Sequence, residues 1–443
     1  MKKIFSVLLI AFAAIAANAQ LRVPPVPIKQ RVLPNGLTVV SVRDNSSPSV
    51  SIHVWYNVGS KNDPTGRNGF AHLFEHIMFK STKNMPSENM DRLTEDVGGF
   101  NNASTWDDFT NYYEVVPSNH LETLLWAEAE RMANLTVDDA NFKSERAVVE
   151  EELRQSYLAR PYGMFNYYLQ SLSYATSPYH RTTIGTLEDL DTATLKDVQD
   201  FHTTFYRPDN AHLIVVGDFD QIQLDAWVDK YFDKVGHPAT KIPRVTTTEP
   251  ARTHEQRFVK ERPNVPFPAV GITYLGPKSD DPDIPALKVA EKILSGGESS
   301  RLYQSLVYKQ QIAEEAAFEV QDRAEGGLLV FLAIASQRKT PDVLEKALLA
   351  ELKNIRTNGV TANELIKAKN ELIADAVRDR ENNDGKAQAI ELAIAYQHNP
   401  EAVNTDIPRL QSVTATDVVR VMKKYFSDNN RVVVYYENEG GAK

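Results

Sequence analysis

Residues 69–79 place His72, Glu75 and His76 among apolar neighbours, in the order His-x-x-Glu-His. On an α-helix, positions four apart lie on one face, a turn apart, and the position three along is their neighbour. Both imidazoles can then reach one ion, with the Glu75 carboxylate beside it. Two nitrogen ligands and an adjacent base are what a hydrolase needs to make hydroxide near neutral pH with a first-row metal.

Such a pattern arises by accident in roughly one chain of this kind in a hundred. Its setting argues against accident. Phe70, Leu73, Phe74, Ile77, Met78 and Phe79 surround the three residues, so the helix is expected to be buried. Ionisable groups carried into such a place need partners or a metal.

The elements that must position this segment follow a leader. The chain opens Met1-Lys2-Lys3, runs mostly apolar to Ala16 and reaches Ala17-Asn18-Ala19. A charged start, a short apolar core and an Ala-x-Ala site make an export signal at 1–19, cut after Ala19. A periplasmic or secreted protein is expected. No later stretch reaches the ~18 uninterrupted apolar residues of a membrane span. The chain has no cysteine, which excludes disulfides, thiolate ligands, a thiol nucleophile and lipid attachment at the cleavage site. A metal site must therefore use His, Asp and Glu. The formal charge is −10, or −12 once Lys2 and Lys3 are removed. An acidic chain without a basic tract suits neither nucleic acid nor an anionic membrane.

The remaining length suits two domains. Strands are expected around a turn at Pro34-Asn35-Gly36 and at 49–56, after which a loop at 59–68 delivers the chain to the His-bearing helix. A helix at 88–96 ends at Gly98-Gly99, a strand closes near residue 116, and helices follow at 120–133 and 137–158. Residues 196–206 read as helix and 210–217 as a buried strand. Pro, Thr and charge dominate 236–252, an interdomain linker between units at 20–235 and 253–443. After it the pattern restarts. Thr194, Asp197 and Asn210 match Thr414, Asp417 and Asn430 at a gapless offset of 220, as repeated units do. The second unit holds only His254 and His398, far apart, so one half can bind the metal and the other lacks the residues for it.

A catalytic zinc site wants three protein ligands and one open corner. Glu145 and Glu152, seven apart on the 137–158 helix, share a face, whereas Glu150 and Glu151 point elsewhere. The residues alone leave open whether either acid reaches the metal, since a Glu-rich helix is commonly a solvated surface.

His72-x-x-Glu75-His76, followed about 75 residues later by Glu145-Arg146 and Glu152, resembles the pitrilysin/insulinase family of zinc peptidases, whose motif inverts the commoner zinc-protease order. That family includes the mitochondrial processing peptidase subunits and their bacterial relatives. Gly99-Phe-Asn-Asn102-Ala103-Ser-Thr105 with Thr110-Asn-Tyr-Tyr113, and Gly296-Gly297 with Arg301-Leu302-Tyr303, extend the likeness over nearly the whole mature chain. The resemblance implies an α+β fold of two homologous domains, each a mainly antiparallel sheet packed with helices. It implies one Zn2+ per chain held by His72, His76 and Glu152, with Glu75 as general base and Glu145 behind the ligands. It further implies that the strand bearing Asn102 and Ala103 pairs with the backbone of a peptide substrate, by strand addition.

One departure bears on partners. Family members complete the site with an Arg and a Tyr seven apart in a metal-free half, and here the best register puts Val307 and Glu314 there. The expectation is a catalytic subunit in a heterodimer with a homologous zinc-free chain supplying Arg and Tyr, in preference to a homodimer. The implied activity is endopeptidase action on peptides or unfolded polypeptides. A non-catalytic scaffold or assembly subunit of the same descent is the alternative, and the intact His72/Glu75/His76/Glu152 set argues against it. Gly296-Gly297 lacks the Lys-Ser/Thr tail of a phosphate loop and reads as a helix end. His53, His120, His180, His202, His212 and His237 match no ligand position and are read as structural.

Overall fold

The computed structural model describes residues 23–440, so the export signal at 1–19 lies outside the described residues. The β-branched, alternating stretches form eleven strands: β1 (Lys29–Val32), β2 (Thr38–Arg43), β3 (Ser49–Tyr56), β4 (Phe100–Thr105), β5 (Thr110–Pro117), β6 (Ala211–Gly217), β7 (Gln256–Arg262), β8 (Ala269–Leu275), β9 (Ala313–Gln321), β10 (Leu328–Ala335) and β11 (Arg431–Asn438). They build two sheets, ordered β1-β2-β6-β3-β5-β4 and β7-β11-β8-β10-β9. A single parallel pair interrupts each otherwise antiparallel sheet, β2 with β6 and β7 with β11. The fold is the expected α+β pair of homologous domains, and the second sheet repeats the first without β1.

The repeat holds residue by residue. Helices Leu195–Phe205 and Ala415–Tyr425 keep identical bounds at the 220 offset, and each opens on a capping box, Thr194 with Asp197 and Thr414 with Asp417. Those side chains satisfy amides that a helix start leaves unpaired. Asn210 and Asn430 then donate to the carbonyls of Phe205 and Tyr425, at 2.9 and 2.8 Å, just before β6 and β11 begin.

One face of each sheet is covered by helices of its own half. Leu121–Asn134, Leu195–Phe205 and Gln221–Phe232 pack on the first sheet, burying Leu125, Val198 and Val228 against Val39, Val54 and Leu213. Ile284–Ser295, Pro341–Asn358 and Ala415–Tyr425 do the same for the second. The opposite faces are closed by exchange. Helix Asn383–Gln397, from the second half, lays Ile390 and Ile394 on Val40, Trp55, Ile214 and Val216 of the first sheet. Helix Gly163–Ser171, from the first half, lays Phe165 and Leu169 on Val330, Val432 and Val434 of the second. Contact there is close enough that a Cβ on Gly271 would meet Leu169 Cδ2 at 2.2 Å. Each fully buried apolar side chain is worth roughly 1.5–3 kcal/mol, so a few such residues suffice to hold each exchanged helix.

A buried polar group also holds the Asn383–Gln397 helix. His53, on β3, sets Nδ1 2.9 Å from Glu391 Oε2 and Nε2 3.0 Å from Asp384 Oδ1, and its ring stacks on Tyr113. Burial disfavours the imidazolium, but hydrogen bonds to Asp384 and Glu391 outweigh it and lift the pKa to about 9. Both ring nitrogens then donate. A folded-state pKa above the ordinary 6.5 means the stabilisation is complete below pH 6.5 and is lost as pH rises through about 9. His53→Gln should remove that alkaline loss of stability in thermal unfolding, and His53→Ala should cost roughly 3–5 kcal/mol by leaving the buried Glu391 carboxylate without its cation. A pH–stability curve from 6.5 to about 9 that is unchanged by either substitution would rule out this role.

Candidate metal centre

The His-bearing segment is helical from Phe70 to Ile77 and is launched by two devices. Gly69 takes a left-handed φ of 98°, and a Cβ there would meet Ile184 O at 2.8 Å. Asp63 caps the start: its two carboxylate oxygens accept the Gly69 and Ala71 amides at 2.7 and 2.9 Å. Burial lifts the Asp63 carboxyl to about 7 against the pull of those amides. Phe70, Leu73, Phe74 and Ile77 go into the core, with Phe74 packed on Phe201, His202 and Tyr206. That orientation leaves His72, Glu75 and His76 half-buried on the remaining face.

Helix Asp139–Leu153 crosses this face. Glu152 Oε2 lies 3.7 Å from His72 Nε2 and 3.6 Å from His76 Nε2. The three ligand atoms all fall within 4.8 Å of one another. Bonds of 2.0–2.1 Å around a tetrahedral ion put ligand atoms roughly 3.3 Å apart, so the two Glu152 separations lie within a few tenths of an ångström of those in a zinc cradle. Two imidazoles and a carboxylate are also the donor set of a catalytic site with one open corner. Among the described residues this is the one trio of such side chains drawn together in this way.

Glu145, two turns earlier, is buried behind the ligands. Its Oε2 is 3.6 Å from His76 Nδ1, while Lys80 Nζ and Ser144 Oγ donate to Oε1 at 2.7 and 3.0 Å. Burial raises its pKa, but the hydrogen bonds from His76, Lys80 and Ser144 prevail and bring it to about 2. Glu145 therefore stays ionised beside His76. His72 has no equivalent support, since its Nδ1 is buried without a hydrogen-bond partner.

The two imidazoles titrate in opposite directions. Burial, helped by the charge of His76, drops His72 to about 4 and leaves it a neutral lone-pair donor. His76 is lifted to about 9, because Glu145 and Glu152 outweigh its burial. Hydrogen bonding to His76 holds Glu152 below the usual carboxylate range. Burial pushes Glu75 up, moderated by the Thr105 hydroxyl, which donates to its Oε2 at 2.6 Å.

Thr105 ends β4, the outer strand of the first sheet. Trp106 N donates to Phe109 O, which fixes the alternation of the β4–β5 ladder and turns the Ala103 N–H to the unpaired edge. There the Asn102 side-chain oxygen accepts it at 2.9 Å. Asn102 is exposed and Ala103 buried. Of the acids on Asp139–Leu153, Glu150 pairs with Arg146 and Arg154, and Glu151 is exposed. Val307 packs on the core of the second half, and Glu314 lies exposed on β9.

Three supporting residues had no role assigned from the sequence. Lys80 is four along from His76, a spacing that signals a shared face. Asp63 and Thr105 gave no periodic signal, because each acts across a loop or a strand pair.

Residues 38–187 match the family model described as Insulinase (Peptidase family M16), and residues 192–372 match the Peptidase M16 inactive domain. The zinc protease PqqE of Helicobacter pylori is 31% identical, over 97% of this chain and 96% of that protein. The probable mitochondrial-processing peptidase subunit beta of Arabidopsis thaliana is 24% identical, over 90% of this chain and 76% of that one. The crystal structure of a protease from Helicobacter pylori superposes with a TM-score of 0.90 at 30% identity, covering 94% of this chain and all of that one. No helix among the described residues is long and apolar enough to cross a membrane.

Glu145→Gln keeps the shape of the side chain and removes the charge that orients His76. Zinc affinity, measured by chelator competition, should fall about 10–100-fold while the helix content is retained. Undiminished affinity would take Glu145 out of the site.

Proposed function

Because the chain belongs to the insulinase (M16) peptidase family, we propose that it is a zinc-dependent endopeptidase acting on peptides or unfolded polypeptides. The observation that carries the reading is the arrival of Glu152 beside both imidazoles, with Glu75 next to them and held by Thr105. Zinc bound by His72, His76 and Glu152 would supply Lewis acidity towards a peptide carbonyl and bring the pKa of water towards neutrality. Glu75 takes the proton of the attacking water and returns it to the departing amine. Its raised pKa makes the carboxylate a stronger base towards that water. Glu145 keeps the His76 ring in register. The free edge of β4 offers the Ala103 amide to an extended substrate once the Asn102 side chain swings away, adding a strand to the sheet.

We assign residues 20–235 to the metal-binding half, 236–252 to the linker and 253–443 to the half without metal ligands. The signal at 1–19 sends the chain to the periplasm. Val307 and Glu314 leave the site short of an Arg and a Tyr, so a homologous zinc-free chain that carries them is the fitting partner. A homodimer brings no such pair at that register.

Wild type and Glu75→Gln should be compared on a peptide mixture, with and without the partner chain. The substitution should leave one zinc per chain and lower turnover by roughly 10²-fold or more. Equal turnover would refute the role of Glu75. Purification without stoichiometric zinc would favour the scaffold reading, and full activity of the isolated chain would remove the partner.

A further inference from the structure

The turn between β4 and β5, residues 106–109, is gripped from the other half of the molecule. Arg323 sits in the loop between β9 and β10 and is 5% exposed. Its Nε donates to Asp107 Oδ2 at 2.6 Å, and its guanidinium lies over the rings of Tyr174 and Tyr179, 5.6 and 5.7 Å from their centroids. The next residue continues the grip, with Ala324 N donating to Asp108 Oδ2 at 2.9 Å. Tyr179 and Lys61 take the other oxygen of Asp108, at 2.5 and 2.7 Å, and Ser60 and Gln170 take that of Asp107, at 2.8 and 3.1 Å.

The same turn borders the Glu75 carboxylate. Thr105, two residues before Asp107, donates to Glu75 Oε2. The Ser60 and Lys61 amides bond the carbonyls of Trp106 and Asp107, and a Cβ on Gly59 would meet Trp106 O at 2.3 Å. That 59–63 turn carries Asp63, the cap of the His-bearing helix. One short hairpin thus joins the helix start, the partner of Glu75 and a cation from the second half.

We propose that Arg323 is a positioning residue for Glu75, acting through Asp107 and Thr105. The proposal rests on the peptidase reading above, in which Glu75 is the base. Arg323 touches neither substrate nor ligands. Its planar, permanently charged group can bond Asp107 while lying against two aromatic rings, and a lysine ammonium reproduces only the charge. A hydroxyl moved by a fraction of an ångström changes the orientation of the carboxylate it holds, and misplacement of about 1 Å can cost 10²-fold in rate. The metal-free half therefore serves the chemistry within its own chain, separately from anything a partner brings.

The test uses the zinc-loaded full chain, with its partner where turnover requires it, on a quenched-fluorescence peptide. Arg323→Met should lower kcat about tenfold with KM and zinc content unchanged, and Arg323→Lys should recover part of the loss. Adding Asp107→Asn to Arg323→Met should restore the melting temperature without restoring kcat, which separates positioning from stability. In a Thr105→Val background Arg323→Met should lower kcat no further, because the connection to Glu75 is already cut. Equal fold-losses in both backgrounds, recovery of kcat together with stability, or an unchanged kcat would each overturn the proposal. Glu75→Gln run alongside separates the two failures. If it turns over like wild type the peptidase reading falls, whereas if it is inactive and Arg323→Met is unaffected only the positioning role falls.

Discussion

Two imidazoles and three carboxylates meet at one end of a helix whose other sides are core, and their mutual compensation is the condition on which the site stands. His72 and His76 cannot both be charged so close together, and burial disfavours Glu75 as an anion. The chain answers with fixed partners. Glu152 faces both imidazoles, Glu145 stands behind His76 with Lys80 to balance it, and Thr105 holds Glu75. In a medium of reduced dielectric such pairings are strong, and a missing partner is correspondingly expensive. A divalent cation at the focus of Glu152 and the two Nε2 atoms suits this charge pattern, because it replaces a proton shared among several bases.

The duplicated architecture lets the two halves divide the work. In the first, the slot between β3 and β4 holds the helix with His72 and His76. In the second, the corresponding helix, Ile284–Ser295, carries no histidine and packs as core. Without those histidines, the second half still contributes structure at the site's border. It sends Asn383–Gln397 to the outer face of the first sheet, with His53 paired to Asp384 and Glu391, and it sends Arg323 to the β4–β5 turn.

What the sequence disclosed followed from regular spacing. His72, Glu75 and His76 share a face by helical period, and so do Glu145 and Glu152 seven apart, so the local geometry of both helices was readable. The 220-residue offset was readable because capping boxes are local chemistry, and Thr194 and Thr414 cap the same way wherever the helix sits. The residues that escaped notice act over distance. Arg323 and Asp107 are separated by 216 residues, and His53 and Glu391 by 338. No period links such pairs, since tertiary folding alone sets their approach. The exchanged helices were hidden for a related reason: an apolar helix face shows that it must be covered, without showing which sheet covers it.

The exchange of helices has a consequence for how the chain is made. Val40, Val42, Trp55, Ile214 and Val216 are complete in sequence by residue 216, yet the helix that covers them begins only at Asn383. During synthesis that apolar face stays open to solvent while most of the second half is still being delivered. Partly folded chains with uncovered sheets aggregate readily, so the first half cannot complete its packing ahead of the second and waits for helix Asn383–Gln397 to arrive. Truncation from the C-terminus would remove β11, which lies between β7 and β8 in the second sheet, before it reached the helix that covers the first.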